Sequence, residues 1–186
     1  MIAAIETGQD SDIEIIPADP QGLDPALVAV NAISKVPTLI TDDGVSLPES
    51  DAICLYLDER SGGGKLLPKS GAGRWQVIRH QALADGFLDA AVGRRIEDGR
   101  PSGERSQPSI DKLGARMFRI LDSLEVEAAS MNAGSIDLGT ISVACALGYA
   151  DFRYQDIGWR DGRPALTTFY ETFAARPSMR STAASS

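Results

Sequence analysis

The side chains best suited to chemistry lie between positions 35 and 50: Lys35, Val36-Pro37, Glu49 and Ser50. Glu49-Ser50 stands directly before an apolar-periodic run, so it reads as the opening of a helix. A helix N-terminus carries unpaired N–H groups and a partial positive charge, and it binds carboxylates. Ser50 is suited to cap this helix, and its hydroxyl can also reach an anion. The acid beside it, Glu49, can hold an ammonium group. In isolation a Glu-Ser pair is more often a plain cap with a first-turn acid; its place downstream of Val36-Pro37 gives it weight. Lys35 offers a cation nearby, and a solvated lysine explains it equally well.

Positioning these residues takes a hairpin and a helix. Pro37 to Thr41 reads as a strand, Asp42-Asp43-Gly44 as a tight turn, and Val45 to Leu47 as the return strand. Ser50 to Arg60 follows as a helix with Ala52, Ile53, Tyr56 and Leu57 on one face. Upstream, Met1 to Thr7 reads as the last turns of a helix stopped by Gly8. Ile13-Glu14-Ile15-Ile16 reads as a short strand ended by Pro17, and Pro25 to Val30 as a short helix. Gly62-Gly63-Gly64 closes this mixed unit, residues 1–64. Residues 65–73, rich in glycine and proline, read as a linker.

Residues 74–186 carry only helical patterns. Trp75, Ile78, Ala82, Phe87, Ala91 and Val92 predict an amphipathic helix to about Glu97. Arg100 to Ser109 reads as a surface turn. Ile110, Leu113, Met117, Ile120, Leu124, Ala128 and Met131 mark a second long helix. Leu138 to Ala150 is apolar on nearly every side and too short to cross a bilayer, which places it at the centre of a bundle. Asp137 and Thr140 supply a cap for it. Pro164 to Ala175 is a last helix with Leu166, Phe169 and Phe173 inward. The fold class is therefore α/β plus all-α.

Bulk properties narrow the function. The 186 residues are 43% hydrophobic, with a formal net charge of −8. That surplus argues against a nucleic-acid partner, which needs clustered Lys and Arg. The single histidine, His80, argues against a metal site. Cys54 and Cys145 sit apart in helix-like contexts and read as reduced core residues of a cytoplasmic protein. No apolar run is long enough to span a membrane.

The order Lys35-Val36-Pro37, Asp43-Gly44, Glu49-Ser50 resembles the glutathione-binding half of a glutathione S-transferase. Ala-Leu-Ala-Asp-Gly-Phe-Leu-Asp-Ala at 82–90, Ile-Ser-Val-Ala-Cys-Ala-Leu-Gly-Tyr at 141–149, Asp-Phe-Arg at 151–153 and Phe-Ala-Ala-Arg-Pro-Ser at 173–178 are similar to the bacterial cytosolic members. The resemblance implies a thioredoxin-like N-terminal domain followed by the transferase's C-terminal helical bundle. It implies a cis Val36–Pro37 bond, with the N–H and C=O of Val36 bridging the cysteinyl backbone of glutathione as an added strand would. It implies that the γ-glutamyl end docks at Glu49 and Ser50, and that Lys35 meets the glycyl carboxylate. Asp85 would approach the partner's glutathione in a dimer, or else is a solvated helix acid. Glutathione would be the co-substrate, without a metal. The partners implied are a small-molecule electrophile and a second copy of the chain, and the role is detoxification.

The resemblance also implies an opening strand and a thiol-activating Ser, Tyr or Cys. Both are expected upstream of Met1, through a start site or an N-terminus lying further back; the third explanation is a true truncation tolerated through rearrangement. None of Thr7, Ser11 and Ser34 fills that position, so the first domain is expected to be incomplete and the chain from Met1 a poor catalyst. The implied strand would lie between residues 13–16 and 37–41. Two other functions fit the same residues. One is a non-catalytic glutathione-binding or scaffold protein. The other is a glutathione-dependent thiol–disulfide reductase, which needs a cysteine at the absent position.

Overall fold

The computed structural model describes residues 1–19, 24–131 and 136–183. Contacts divide the chain into two compact units, Met1–Lys69 and the part from Ser70 onward. The first is mixed and the second all-helical, as the patterning requires.

In the first unit, helix α1 (Ile2–Thr7) ends at Gly8, whose φ of 72° is the left-handed value of a helix stop. Helix α2 (Pro25–Val30) begins with proline at its first position, and the Asp24 carboxylate accepts the Ala26 N–H at 2.9 Å. Strands β1 (Thr38–Ile40) and β2 (Ser46–Pro48) pair antiparallel, with Thr38 opposite Pro48 and Ile40 opposite Ser46. The turn between them closes through Gly44, φ 83°, whose N–H donates to Thr41 O at 2.9 Å. Helix α3 (Ser50–Arg60) follows β2 almost at once and packs against α1.

Ala3, Ala4, Leu27 and Leu57 are buried in this unit. A buried carboxylate organises its end. Asp58, only 5% exposed, accepts N–H groups from Gly64, Lys65, Leu66 and Leu67. Burial pushes its carboxyl up, and these backbone donors outweigh burial and hold it below the usual range.

The expected strand at 13–16 is not formed. The residues mostly alternate apolar and polar, yet among the described residues no neighbouring strand offers them a ladder. Ile15 and Ile16 are 68% and 74% exposed, so no core face orients them either. Pattern alone does not make a strand when its hydrogen bonds have nowhere to go.

The second unit contains α4 (Ala72–Asp98), α5 (Gln107–Ala128), α6 (Leu138–Arg153), α7 (Pro164–Ala174) and α8 (Pro177–Ser181). Helix α6 is buried on most of its surface and packs on α4 and α7. Its N-terminus carries a capping box: Thr140 N–H donates to Asp137 Oδ1 at 2.8 Å, and Asp137 N–H to Thr140 Oγ1 at 3.1 Å. A Cβ at Gly139 would lie 2.9 Å from both His80 Cβ and Val77 O, so glycine permits the close approach of α6 to α4.

The buried face of α4 differs from the expected one. It runs Val77, His80, Ala84, Phe87, Ala91, while Trp75 is 68% exposed and Val92 42%. His80 shifts the stripe. It tolerates burial because its Nε2 lies 3.0 Å from Glu127 Oε2 on α5. Arg79, with Nη2 2.6 Å from Glu127 Oε1, holds the Glu127 carboxyl below the usual range. The surface turn expected to reach Ser109 is also shorter. Helix α5 already starts at Gln107, because Ser106 caps it and Pro108 suits the first turn.

Candidate functional site

The hairpin register assembles the candidate residues. Thr38 pairs with Pro48 at the open end of the hairpin, so residues 35–37 lead into that end and Glu49-Ser50 lead out of it. Neighbouring strands lie about 5 Å apart. Residues 35–37 and 49–50 therefore lie at the same end of the hairpin, and all five are exposed. The Val36–Pro37 peptide bond is cis.

The helix end differs from the expected cap. Glu49, not Ser50, is the N-cap residue, and Ser50 is the first residue of α3. No side chain caps this end. The connection from β2 is so short that Glu49 must both leave the strand and start the helix. It does so at φ 68°, ψ 144°. Such a conformation in a residue with a Cβ costs about 1–3 kcal/mol and persists only where its surroundings hold it. The first helical hydrogen bond runs from Ile53 N–H to Glu49 O at 3.3 Å. The N–H groups of Ser50, Asp51 and Ala52 therefore face out of the helix end with no partner inside it. An exposed carboxylate at Glu49 stands beside them. This arrangement suits a carboxylate and an ammonium held close together.

The loop before β1 is held by one side chain that sequence reasoning passed over. Asn31 is 4% exposed. Its Nδ2 donates to Lys35 O at 3.0 Å and to Thr38 Oγ1 at 2.9 Å, and its Oδ1 accepts the Ile33 N–H at 2.8 Å. Thr38 Oγ1 also donates to Lys35 O, at 2.9 Å. Within the loop Ser34 stands at φ 52°, and its hydroxyl is buried without a hydrogen bond. The only signal in the sequence is a lone asparagine closing an apolar helix.

The remaining candidates are placed as follows. Asp85 is half-buried on α4, in the second unit. Asp137 and Thr140 serve the α6 cap. Cys54 and Cys145 are each half-buried within a helix. The Thr7 hydroxyl bonds its own helix at Ala3 O, 2.8 Å. Among the described residues no cluster of three or more His, Cys, Asp and Glu forms a metal site, and no helix is long and apolar enough to cross a membrane.

Comparisons with known proteins bear on this geometry. Residues 1–65 match the family described as "Glutathione S-transferase, N-terminal domain", and residues 107–172 match "Glutathione S-transferase, C-terminal domain". The chain is 30% identical over 171 residues to the Escherichia coli (strain K12) protein described as "Uncharacterized GST-like protein YibF", covering 91% of this chain and 85% of that one. A glutathione transferase family member from Pseudomonas fluorescens Pf-5, solved with bound glutathione, is 36% identical; the match covers 100% of this chain and 92% of that chain, with a TM-score of 0.95. A glutathione S-transferase from Methylobacillus flagellatus KT, solved with glutathione bound, is 32% identical; that match covers 99% and 92% of the two chains, with a TM-score of 0.90.

Proposed function

Since the chain belongs to the glutathione S-transferase family, we propose that residues 35–50 bind glutathione and present its thiol to a small electrophile. The hairpin carries the reading: it brings the segment of Val36 and the uncapped N-terminus of α3, flanked by the Glu49 carboxylate, to one end. Helix N–H groups and the Ser50 hydroxyl take the γ-glutamyl carboxylate, and Glu49 takes its ammonium. The backbone of Val36 bridges the cysteinyl residue. Lys35 meets the glycyl carboxylate.

Bound this way, the tripeptide is fixed at both ends and its sulfur is directed by the middle. Conjugation forms a bond from sulfur to the electrophilic carbon. The thiol proton passes to solvent, and either a leaving group departs or a proton adds to the electrophile. A thiol of pKa about 8.5 is only a few per cent ionised at neutral pH, so turnover depends on a group that stabilises the thiolate. No residue of this chain is assigned that role. The Thr7 hydroxyl is engaged with its own helix and the Ser34 hydroxyl is buried. A second reading is a protein that holds glutathione without turning it over.

The wider assignment is a cytoplasmic, homodimeric protein of detoxification, with exposed Trp75 on α4 at the interface and Asp85 reaching the partner's glutathione. Calorimetry tests the core of the proposal. The wild-type chain should bind glutathione, and Glu49→Ala should weaken binding by about 1.5–3 kcal/mol through loss of a charge-assisted contact. A wild-type chain with no measurable affinity refutes it. Turnover of a chloronitrobenzene electrophile then separates the two readings.

A further inference from the structure

We infer that Asn31 is a positioning residue of the glutathione site: it sets the direction in which the Val36 N–H is offered. This rests on the reading of residues 35–50 as glutathione-binding. A helix C-cap accounts for the backbone of Asn31, whose N–H donates to Leu27 O at 2.8 Å and whose carbonyl accepts the Ser34 N–H at 2.9 Å. It does not account for the side chain. That side chain is buried, and its bonds run forward, to Ile33 N, Lys35 O and Thr38 Oγ1.

The Lys35 carbonyl is the point of control. Asn31 Nδ2 and Thr38 Oγ1 both donate to it, at 3.0 and 2.9 Å. The carbonyl of Lys35 and the N–H of Val36 belong to one planar, trans peptide unit, so they point in opposite directions. Pinning the carbonyl inward toward Asn31 turns the Val36 N–H outward, on an exposed residue at the open end of the hairpin. The ligand-facing donor is thus aimed from behind by a side chain that need not touch the ligand.

The residue type fits the task. The loop asks for one acceptor, toward Ile33, and two donors, toward Lys35 O and Thr38 Oγ1. A primary amide supplies both kinds of group. Aspartate has no donor when ionised, serine is too short, and glutamine adds a methylene that the enclosed site must house. The same bonds hold Ser34 at its φ of 52°, a conformation that needs outside support.

The test uses Asn31→Asp, which preserves shape and the acceptor for Ile33 but sets a carboxylate oxygen against Lys35 O. Glutathione affinity is measured by calorimetry beside the thermal midpoint of the ligand-free protein, and the Val36 amide is followed by NMR. The dissociation constant should rise about tenfold, the equivalent of one misdirected hydrogen bond from the Val36 N–H to the ligand. The Val36 amide resonance should shift without ligand. Thr38→Val, which removes one of the two donors to Lys35 O, should give a smaller rise of the same kind. Combined with Glu49→Ala, the Asn31→Asp effect should multiply, since the two act on different parts of the ligand. A purely structural asparagine would lower the thermal midpoint and leave affinity in the folded protein unchanged. Folded variants that bind within about twofold of wild type therefore overturn the inference. Should Asn31→Asp not fold, Thr38→Val decides by the same criterion. A wild-type protein that binds no glutathione overturns the parent proposal, and this inference with it; that failure shows in the wild-type titration before any variant is made.

Discussion

Replacing Asp58 by asparagine isolates one carboxylate that orders the end of the first unit. The two side chains have the same shape. Asp58 Oδ1 accepts Lys65 N–H at 2.9 Å and Leu66 N–H at 2.6 Å, and Oδ2 accepts Gly64 N–H at 2.9 Å and Leu67 N–H at 3.4 Å. Asparagine keeps the first pair and turns an NH2 group against the second. Leu67 is 6% exposed, so its N–H has little access to water as a substitute. Hydrogen bonds to a charged group contribute about 1.5–3 kcal/mol each, and the Leu67 contact is long, so the expected loss is about 2–4 kcal/mol. For a chain of this size that lowers the thermal midpoint by about 5–15 °C. The pH dependence gives a second check. The folded-state pKa of Asp58 lies below its ordinary value. Its stabilisation is complete above the ordinary carboxylate range and fades as pH falls through the depressed folded value. The gap between wild type and Asp58→Asn, followed by circular dichroism, should be constant near neutrality and narrow below about pH 4. A midpoint change under about 1 °C, or a gap that does not narrow in acid, would refute the argument.

Gly139→Ala should destabilise by about 1–3 kcal/mol despite alanine's better helix propensity, because the new methyl meets His80 Cβ and Val77 O at 2.9 Å; urea denaturation measures it. Asp137→Ala removes the acceptor for Thr140 N–H and should cost about 0.5–2 kcal/mol in the same assay. Trp75 is 68% exposed on α4, and Trp75→Glu should shift a micromolar dimer toward monomer in sedimentation; a wild-type monomer would remove both the interface and the cross-subunit role of Asp85.

The hairpin and α3 were readable because their signals are local. Asp43-Gly44 sets the turn, the turn sets the register, and Ser50 to Arg60 matches the observed helix end to end. Three features were not readable, each because its cause lies elsewhere in the chain. Residues 13–16 mostly alternate, yet a strand needs a neighbour that no pattern in the segment supplies. The face of α4 turned on His80, a polar residue whose burial depends on Glu127 on another helix. Serine is the better cap by type, but the short exit from β2 gives the N-cap place to Glu49. Asn31 escaped notice for a related reason, since its partners become visible only once the loop is folded.

The backbone of Glu49 also has a bearing on how this chain can evolve. Glycine adopts the φ of 68° without the penalty that a side chain incurs there. A single point mutation converts a glutamate codon to a glycine codon. Gains in stability at position 49 are therefore within easy reach, and each discards the carboxylate. A library sorted for thermal resistance alone should accumulate glycine at 49, whereas one sorted for ligand capture should retain the acid. Selection for folding and selection for function pull against each other at this position.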